Sequence, residues 1–592
     1  MPDNSQTNPA AFNCEGGLVL NKSTFLMQPG EALELRNFEP DIQGGYRRIN
    51  GFSKYVTAVV PSTSSSTEKV LMVASFADVV VAARGTSIYS AVPGSSSWTT
   101  RDSGRTNAGK YSFERFNFDG TEKLVVVDGV NAPTIFNSSL AATDIAATNA
   151  STGKSTILAA DIASDATLSG SGTITVTSTS GFTDPSSGTK SILLGTEIFT
   201  YTGLSATTFT GVTRAAAGSS AVAHTAGAAV LDLFPPTVTG AKHVAAFKNH
   251  MFYSGMSGTP QEVIFSAPFD EDNFSVAVGS GSFKVDDTVV GLKVFRDDLF
   301  IFCETRIFKL TGTSSGNFSV TAVTRNIGCV NGDTIQEFAG DLIFLGPDGL
   351  RTIAGTARIG DVELGTISSN VQSIFNDNLS SASEFESTVI PDKTQYRIFF
   401  TKSAVGEIQT KGVICVLKGQ QFEFSELRGI RPACTDSFVD EGNVLVLHGA
   451  YTSGFIYRQE SGNTFDGETI LGRYRSPDLT FDDPGIRKHM QRVILNYKPE
   501  AAIDADLILR YDYEDPDSAR PAVYPLDSSD VVAIYGTSTY GVPIYDGASQ
   551  PLVRQSVEGS GFAVALKVQD GGQTSPYSLK GFQLEYQLGA RR

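Results

Sequence analysis

The chain has 592 residues, a formal net charge of −17 and 41% apolar residues. That length exceeds what one hydrophobic core usually supports, so two to four domains are expected. The acidic balance argues against a protein that grips nucleic acid through its phosphates, which needs clustered Lys and Arg. It leaves open a negative wall along which DNA slides, although solubility of an acidic surface is the simpler reading.

The 58 glycines, the abundant Ser and Thr and the scarcity of long amphipathic helical stretches favour an all-β protein with short strands. The N-terminus, Met1 to Asn13, is polar and lacks the apolar core of a signal peptide. No apolar run reaches the roughly 18 residues of a membrane-spanning helix. A glycine- and arginine-containing stretch follows, Gly16 to Phe52. Its Gly44–Gly45 predicts a turn, and Arg47–Arg48 offers two fixed charges to an acidic neighbour. An N-terminal arm is the expectation here; an ordinary hairpin is the alternative.

From there the chain repeats one theme: a turn with Gly, Asp or Asn between two apolar, β-branched and aromatic runs. The instances are Val79–Tyr89, Phe118–Phe136, His243–Phe265, Val290–Leu310 and Phe338–Ile353, with weaker ones at Tyr396–Phe424 and Phe438–Tyr457. Each reads as a hairpin, because Asp-Gly at Asp119–Gly120, Asp128–Gly129 and Asp348–Gly349 supplies the positive φ of tight turns. Small antiparallel sheets repeating at roughly 40–50 residues predict a β-propeller of six or so blades. A set of β-sandwiches is the competing pattern.

The rhythm breaks at Ser138–Gly170, rich in Ala, Ser and Thr. The block Thr173–Val230 then alternates apolar and polar residues, with turns at Pro185–Gly188, Gly195 and Gly203. It reads as a small β-domain inserted into the propeller, with Pro235–Pro236 marking the return. Beyond Ser461 the strands Leu507–Tyr513, Phe562–Val568 and Gly581–Gln587 suggest a C-terminal β-sandwich, ending in the basic Arg591–Arg592. The expected organisation is therefore an arm or platform segment at 1–60, propeller at 61–150, inserted domain at 151–235, propeller again at 236–460 and sandwich at 461–592.

Motifs that could carry chemistry lack their required context. Gly153-Lys154-Ser155 resembles the end of a phosphate-binding loop, but Thr148 stands where its first glycine belongs. Gly312-Thr313-Ser314-Ser315-Gly316 matches a nucleophile elbow, yet falls between two strand-like runs, where a hairpin turn explains it. His224, His243, His250, His448 and His489 show no metal-ligand spacing, and Cys14, Cys303, Cys329, Cys415 and Cys434 form no CxxC pair. Most of the cysteines sit in apolar strand-like contexts, where Cys behaves as a small hydrophobe, and folding in a reducing cytoplasm fits. Asp270–Asp272, Asp512–Asp517 and the group Asp478, Asp482, Asp483 read as solvated turns, with a calcium loop as the alternative for the second. No catalytic residue, metal ligand or cofactor is expected, although a pair of carboxylates in a propeller channel would make a glycosidase.

The N-terminal run Gly16-Gly17-Leu18, Gln28-Pro29-Gly30-Glu31, Leu35-Arg36-Asn37-Phe38 and Gly44-Gly45-Tyr46-Arg47-Arg48-Ile49-Asn50-Gly51-Phe52 resembles the opening of short-tailed bacteriophage nozzle proteins, also called tail tubular protein B or hub proteins. Asn50 stands where that family often has Pro. Phe247–Phe252, Val263–Ala267, Asp272-Asn273-Phe274 and Gly340–Gly349 are similar to its blade hairpins. Gly181-Phe182, Glu197–Tyr201, Thr213-Arg214 and His224 are similar to a small β-module of phage tail and fibre proteins.

The resemblance implies a structural, non-enzymatic virion protein of the tail, assembled in the host cytoplasm. It implies a homohexameric ring beneath a portal-proximal adaptor, with an axial channel that passes DNA at ejection and an outer surface that docks tail fibres. Arg36, Tyr46, Arg47 and Arg48 would then be the arm residues that reach a neighbouring subunit. The rival readings are a tail-associated glycosidase or depolymerase and a host-surface adhesin.

Overall fold

The structure is a computed structural model. It describes residues 7–62, 68–106, 109–145, 150–185, 189–216, 219–234, 238–274, 278–353, 366–404, 407–440, 442–481, 483–500, 504–514, 521–527 and 552–591. Most of the turn at Pro185–Gly188, the Pro235–Pro236 pair, Asp482 and the later part of Asp512–Asp517 lie outside the described residues. The chain is all-β with a six-blade β-propeller arrangement, and it divides into two compact units, residues 104–325 and residues 1–103 with 326–592.

The unit at 104–325 holds three four-stranded blade sheets. They are Ser112–Phe116 to Ala142–Asp144, His243–Phe247 to Gly281–Lys284, and Val289–Phe295 to Ser319–Thr324. Their strands are short because tight turns end them: Lys248 and Asn249 both take positive φ (48° and 62°) between two strands that are buried on both faces. Between the first and second of these blades lies the inserted domain, a seven-stranded sheet from Ala150–Ile157 to Ala229–Phe234. It has its own core, in which Ile174, Ile192, Phe199, Phe209 and Val230 pack together.

The other unit holds three more blades. One runs Met72–Phe76, Val79–Arg84, Ser87–Ala91, Thr99–Ser103; a second is three-stranded, Gln336–Phe338, Asp341–Gly346, Gly349–Thr352. The last, Pro432–Asp440, Asn443–Ala450, Ile456–Gln459, takes its fourth strand, Phe52–Lys54, from the far N-terminal side of the chain. Six of the seven sequence-level hairpins are thus blades.

The seventh, Tyr396–Phe424, is not. Its strands Gln395–Ala404, Glu407–Lys418 and Gln421–Leu427 are 10, 12 and 7 residues long, and both of their faces are apolar. Tyr396, Ile398, Val413 and Cys415 enter one core, while Phe399, Ile414 and Val416 enter another. They belong to a nine-stranded sheet that continues through Glu34–Arg36, Gly472–Arg475, Val564–Asp570, Asp504–Tyr511 and Tyr524–Asp527.

A seven-stranded sheet shares that first core. Its path is Phe38–Pro40, Tyr46–Arg48, Tyr577–Arg591, Ile486–Pro499, Leu552–Ser556, with Asn8–Asn13 and Ser560–Gly561 paired to its side. A β-sandwich is present as expected, but it is not closed within 461–592. Strands from 8–48 and 384–427 complete it: Phe38, Tyr46, Tyr396, Ile398 and Val413 enter the same core as the C-terminal Val493, Leu495, Leu507 and Val568.

Candidate functional site

The N-terminal stretch folds as a joint inside this sandwich. Gly16 and Gly17 take φ of 93° and 67°, and a Cβ on Gly17 would lie 2.7 Å from the Phe424 amide nitrogen. The backbone therefore requires glycine there to approach the neighbouring strand. Gly17 N–H donates to the Tyr46 hydroxyl at 3.0 Å, and that hydroxyl donates to the Gly30 carbonyl at 2.7 Å. Glu31 accepts from Lys22 and from the Gln28 amide. Asn37 accepts the Arg428 amide and donates to the Leu471 carbonyl.

The arginines are used in the same way. Arg48 and Asp570 are both 0% exposed, with their charged groups 2.7 Å apart. The pair is an ionic contact without the alignment of a good hydrogen bond, and Arg48 donates instead to the carbonyls of Thr574, Gly572 and Ile470. Burial pushes the Asp570 carboxyl up, and the Arg48 guanidinium opposes that shift. Arg47 grips Glu500 with two nitrogens at 2.7 and 2.9 Å and reaches Glu39 at 3.1 Å. Arg36 donates to Glu426 at 3.0 Å.

Glu39 extends the network inward. It accepts from the fully buried Arg397 at 3.3 Å and from Lys393 at 2.6 Å, and both cations also bind Glu460. The two cations hold the Glu460 carboxyl down at about 2 despite its burial.

Sequence reasoning placed Arg36, Tyr46, Arg47 and Arg48 on an arm that faces a neighbour. For Tyr46 and Arg48 this is corrected: both are fully buried in their own chain. Arg36 and Arg47 are part-exposed, with partners within the chain. Glu39, Arg397, Glu460 and Asp570 were missed. Only an unexplained charge in a strand-like run could have flagged them, and their partners lie far off in the sequence.

The inserted domain has a second ionic centre. Glu197, 0% exposed at its side chain, receives Arg214 through two bonds of 2.8 Å, the amides of Ala215 and Val222, and His224 Nε2 at 2.9 Å. These donors outweigh burial and hold its carboxyl at about 2. Glu197, Arg214 and His224, noted in the sequence for their likeness to a tail module, are thus one buried lock that ties the strand Glu197–Tyr201 to Arg214, Ala215, Val222 and His224.

The remaining motifs are turns and strands. Gly312–Gly316 is the turn before Ser319–Thr324, where the Asn317 side chain accepts the amides of Thr313 and Ser314. Gly153-Lys154-Ser155 lies in the strand Ala150–Ile157. The five cysteines are buried thiols. In the Asp270–Asp272 turn, burial and the neighbouring Asp270 push the Asp272 carboxyl up to about 6. Asp512 caps the amides of Phe562 and Ala563. Among the described residues, no group of three or more His, Cys, Asp or Glu is placed to hold a metal ion. No helix among them is long and apolar enough to cross a membrane.

No protein-family model matches the chain, and no curated protein does. Among solved structures it is similar to Kluyveromyces lactis Hsv2p, at 10% identity over 58% of this chain and 97% of that one, with a TM-score of 0.22. An ancestral GH74 enzyme gives 11% identity over 70% and 53%, with a TM-score of 0.28. The exo-β-1,3-galactanase of Phanerochaete chrysosporium gives 7% identity over 91% and 100%, with a TM-score of 0.22. Likeness at this level carries no functional argument.

Proposed function

We propose that this chain is a structural virion protein, the nozzle subunit of a short phage tail. In this reading it forms a ring that closes the tail, passes DNA at ejection through an axial channel, and offers docking surfaces to the tail adaptor and fibres. The observation that supports it is the joint. Gly16, Gly17, Gly30, Asn37, Tyr46 and Arg48, all within the stretch that resembles nozzle proteins, each meet a backbone or buried-charge requirement of the sandwich. The resemblance therefore falls on residues under physical demand and not on shared composition. The Glu197–Arg214–His224 lock supports it in the same way for the tail-type module. The charge of −17 suits a lumen that must release DNA.

Immunogold electron microscopy of virions from the host culture tests this directly, and label at the free end of the tail is the expected result. Virions that lack the chain would end the proposal. Release of sugar from host polysaccharide by the purified chain would replace it with the glycosidase reading.

A further inference from the structure

The blade Pro432–Asp440, Asn443–Ala450, Ile456–Gln459 is closed by a strand of only three residues, Phe52–Lys54. Phe52, Ser53 and Lys54 stand opposite Gln459, Arg458 and Tyr457. On its other side the strand is held lightly. The Phe52 amide donates to the Thr464 carbonyl at 3.0 Å, the Ser53 and Ser461 hydroxyls are 2.8 Å apart, and Lys54 lies 3.2 Å from Asp466. The Phe52 ring turns inward, stacked on Phe465 with centroids 5.1 Å apart and tilted against Tyr457 at 4.7 Å.

Under that ring lies a histidine. His448 stands opposite Tyr457 on one side and Thr435 on the other. Its imidazole stacks on Tyr457 at 5.1 Å and meets Phe52 edge to face at 5.0 Å. The residue is 1% exposed, and among the described residues its Nδ1 has no hydrogen-bond partner. A neutral imidazole fits such an aromatic cage. An imidazolium does not, because it has a second N–H to satisfy and a charge to solvate. The charges on the surrounding elements are engaged elsewhere. Lys54 pairs with Asp466, Arg428 with Glu426, and Arg397 with Gln459 and Glu460. Asp436 accepts the Ser75 amide, Glu386 accepts the Thr435 hydroxyl, and Arg458 and Glu468 are exposed. None of them contributes to the imidazole's shift, whose sole cause is burial.

We propose that Phe52–Lys54 is an acid-released latch on this blade, with His448 as the group that releases it. Lifting the strand uncovers the imidazole and admits water. Below its ordinary value of 6.5 the uncovered ring takes up a proton, which the closed blade refuses down to about 3. Opening is therefore favoured as pH falls through 6.5, and closure is fully favoured above it. A three-residue strand at a sheet edge opens at less cost than the strands behind it, so release precedes unfolding of the blade. The latch does not depend on the nozzle reading and stands or falls by itself.

Hydrogen exchange of the full chain at pH 7.5 and pH 5 tests it, with rates corrected for the pH dependence of the exchange chemistry. The Phe52 and Tyr55 amides, bonded to the carbonyls of Thr464 and Ile456, report on the latch. Their protection falls about thirtyfold between the two pH values, the ratio that an open-state value of 6.5 and a closed-state value well below 5 require. Protection within Met72–Phe76, in the blade that shares this blade's core, changes less than about threefold. H448F and H448Q, which cannot titrate, each abolish the fall. Equal protection of Phe52 and Tyr55 at both pH values, a fall that persists in either variant, or a fall shared in full by Met72–Phe76 would each overturn the proposal. The wild-type comparison decides the matter by itself where a variant fails to fold.

Discussion

Replacing Arg48 with Met should unseat the N-terminal joint while leaving the blades folded. The substitution keeps an unbranched side chain of similar reach but strands Asp570, which is fully buried. It also removes the donors that satisfy the carbonyls of Thr574, Gly572 and Ile470. Breaking a buried ion pair by removing one partner is worth about 3–5 kcal/mol. The three carbonyls stand in the same small volume, so their loss overlaps with that figure and does not add to it in full. In a chain of two units the loss is best read locally, by hydrogen exchange. Protection of Tyr46–Arg48 and Val564–Asp570 should fall by about two to three and a half orders of magnitude, while Asp298–Cys303 is unchanged. The deficit should shrink toward pH 4. Without Arg48 the Asp570 carboxyl is raised further above its unfolded value, so the folded state gains by taking up a proton that the unfolded state does not yet hold. A loss under about 1 kcal/mol, or one equal at pH 7 and pH 4, would refute the assignment of Arg48 as the charge partner of Asp570.

Other outcomes follow from the same physics. Glu197, held at about 2 against an ordinary 4.5, gives the inserted domain about 3 kcal/mol that is full above pH 4.5 and lost as pH falls toward 2; E197Q should remove most of it, read by exchange in Lys190–Thr213. His448 is buried between Phe52 and Tyr457, and burial pushes its imidazole down to about 3 from 6.5. The blade of Asn443–Ala450 should therefore lose about 1.4 kcal/mol per pH unit as pH falls below 6.5, and H448F should flatten that slope in an acid-denaturation series. Burial pushes the thiols of Cys14, Cys303 and Cys329 up to about 12, so a thiol reagent should leave the native chain unlabelled at pH 7 and react with it in urea. Labelling of Cys14 alone would show that the N-terminal joint opens.

Much of the propeller was legible because its signals are local. Asp119–Gly120 and Lys248–Asn249 end strands by turn chemistry that acts within a few residues, and the runs on either side alternate or bury as blade strands do. Tyr396–Phe424 carries the same hairpin signal, and only its greater length and its two apolar faces set it apart. The sandwich was legible in kind but not in extent. Glu34–Arg36 and Tyr46–Arg48 are three-residue strands whose partners are chosen by the core and not by their own pattern. The charge networks were the least legible. Arg397 reads as a solvent-facing residue of an alternating strand until Glu39 and Glu460 are brought to it.

The strand Phe52–Lys54, which completes the blade ending at Ile456–Gln459, bears on the order in which a ribosome-bound chain matures. That strand has no blade to join until some four hundred residues more have been synthesised. The sandwich waits longer, since Tyr577–Arg591 sits in its seven-stranded sheet between Tyr46–Arg48 and Ile486–Pro499. The unit at 104–325 carries its blades and inserted sheet within one continuous stretch and is free to fold during translation. The strands between Asn8 and Lys54, by contrast, emerge early and settle last, which makes them the segment most in need of protection in the nascent chain.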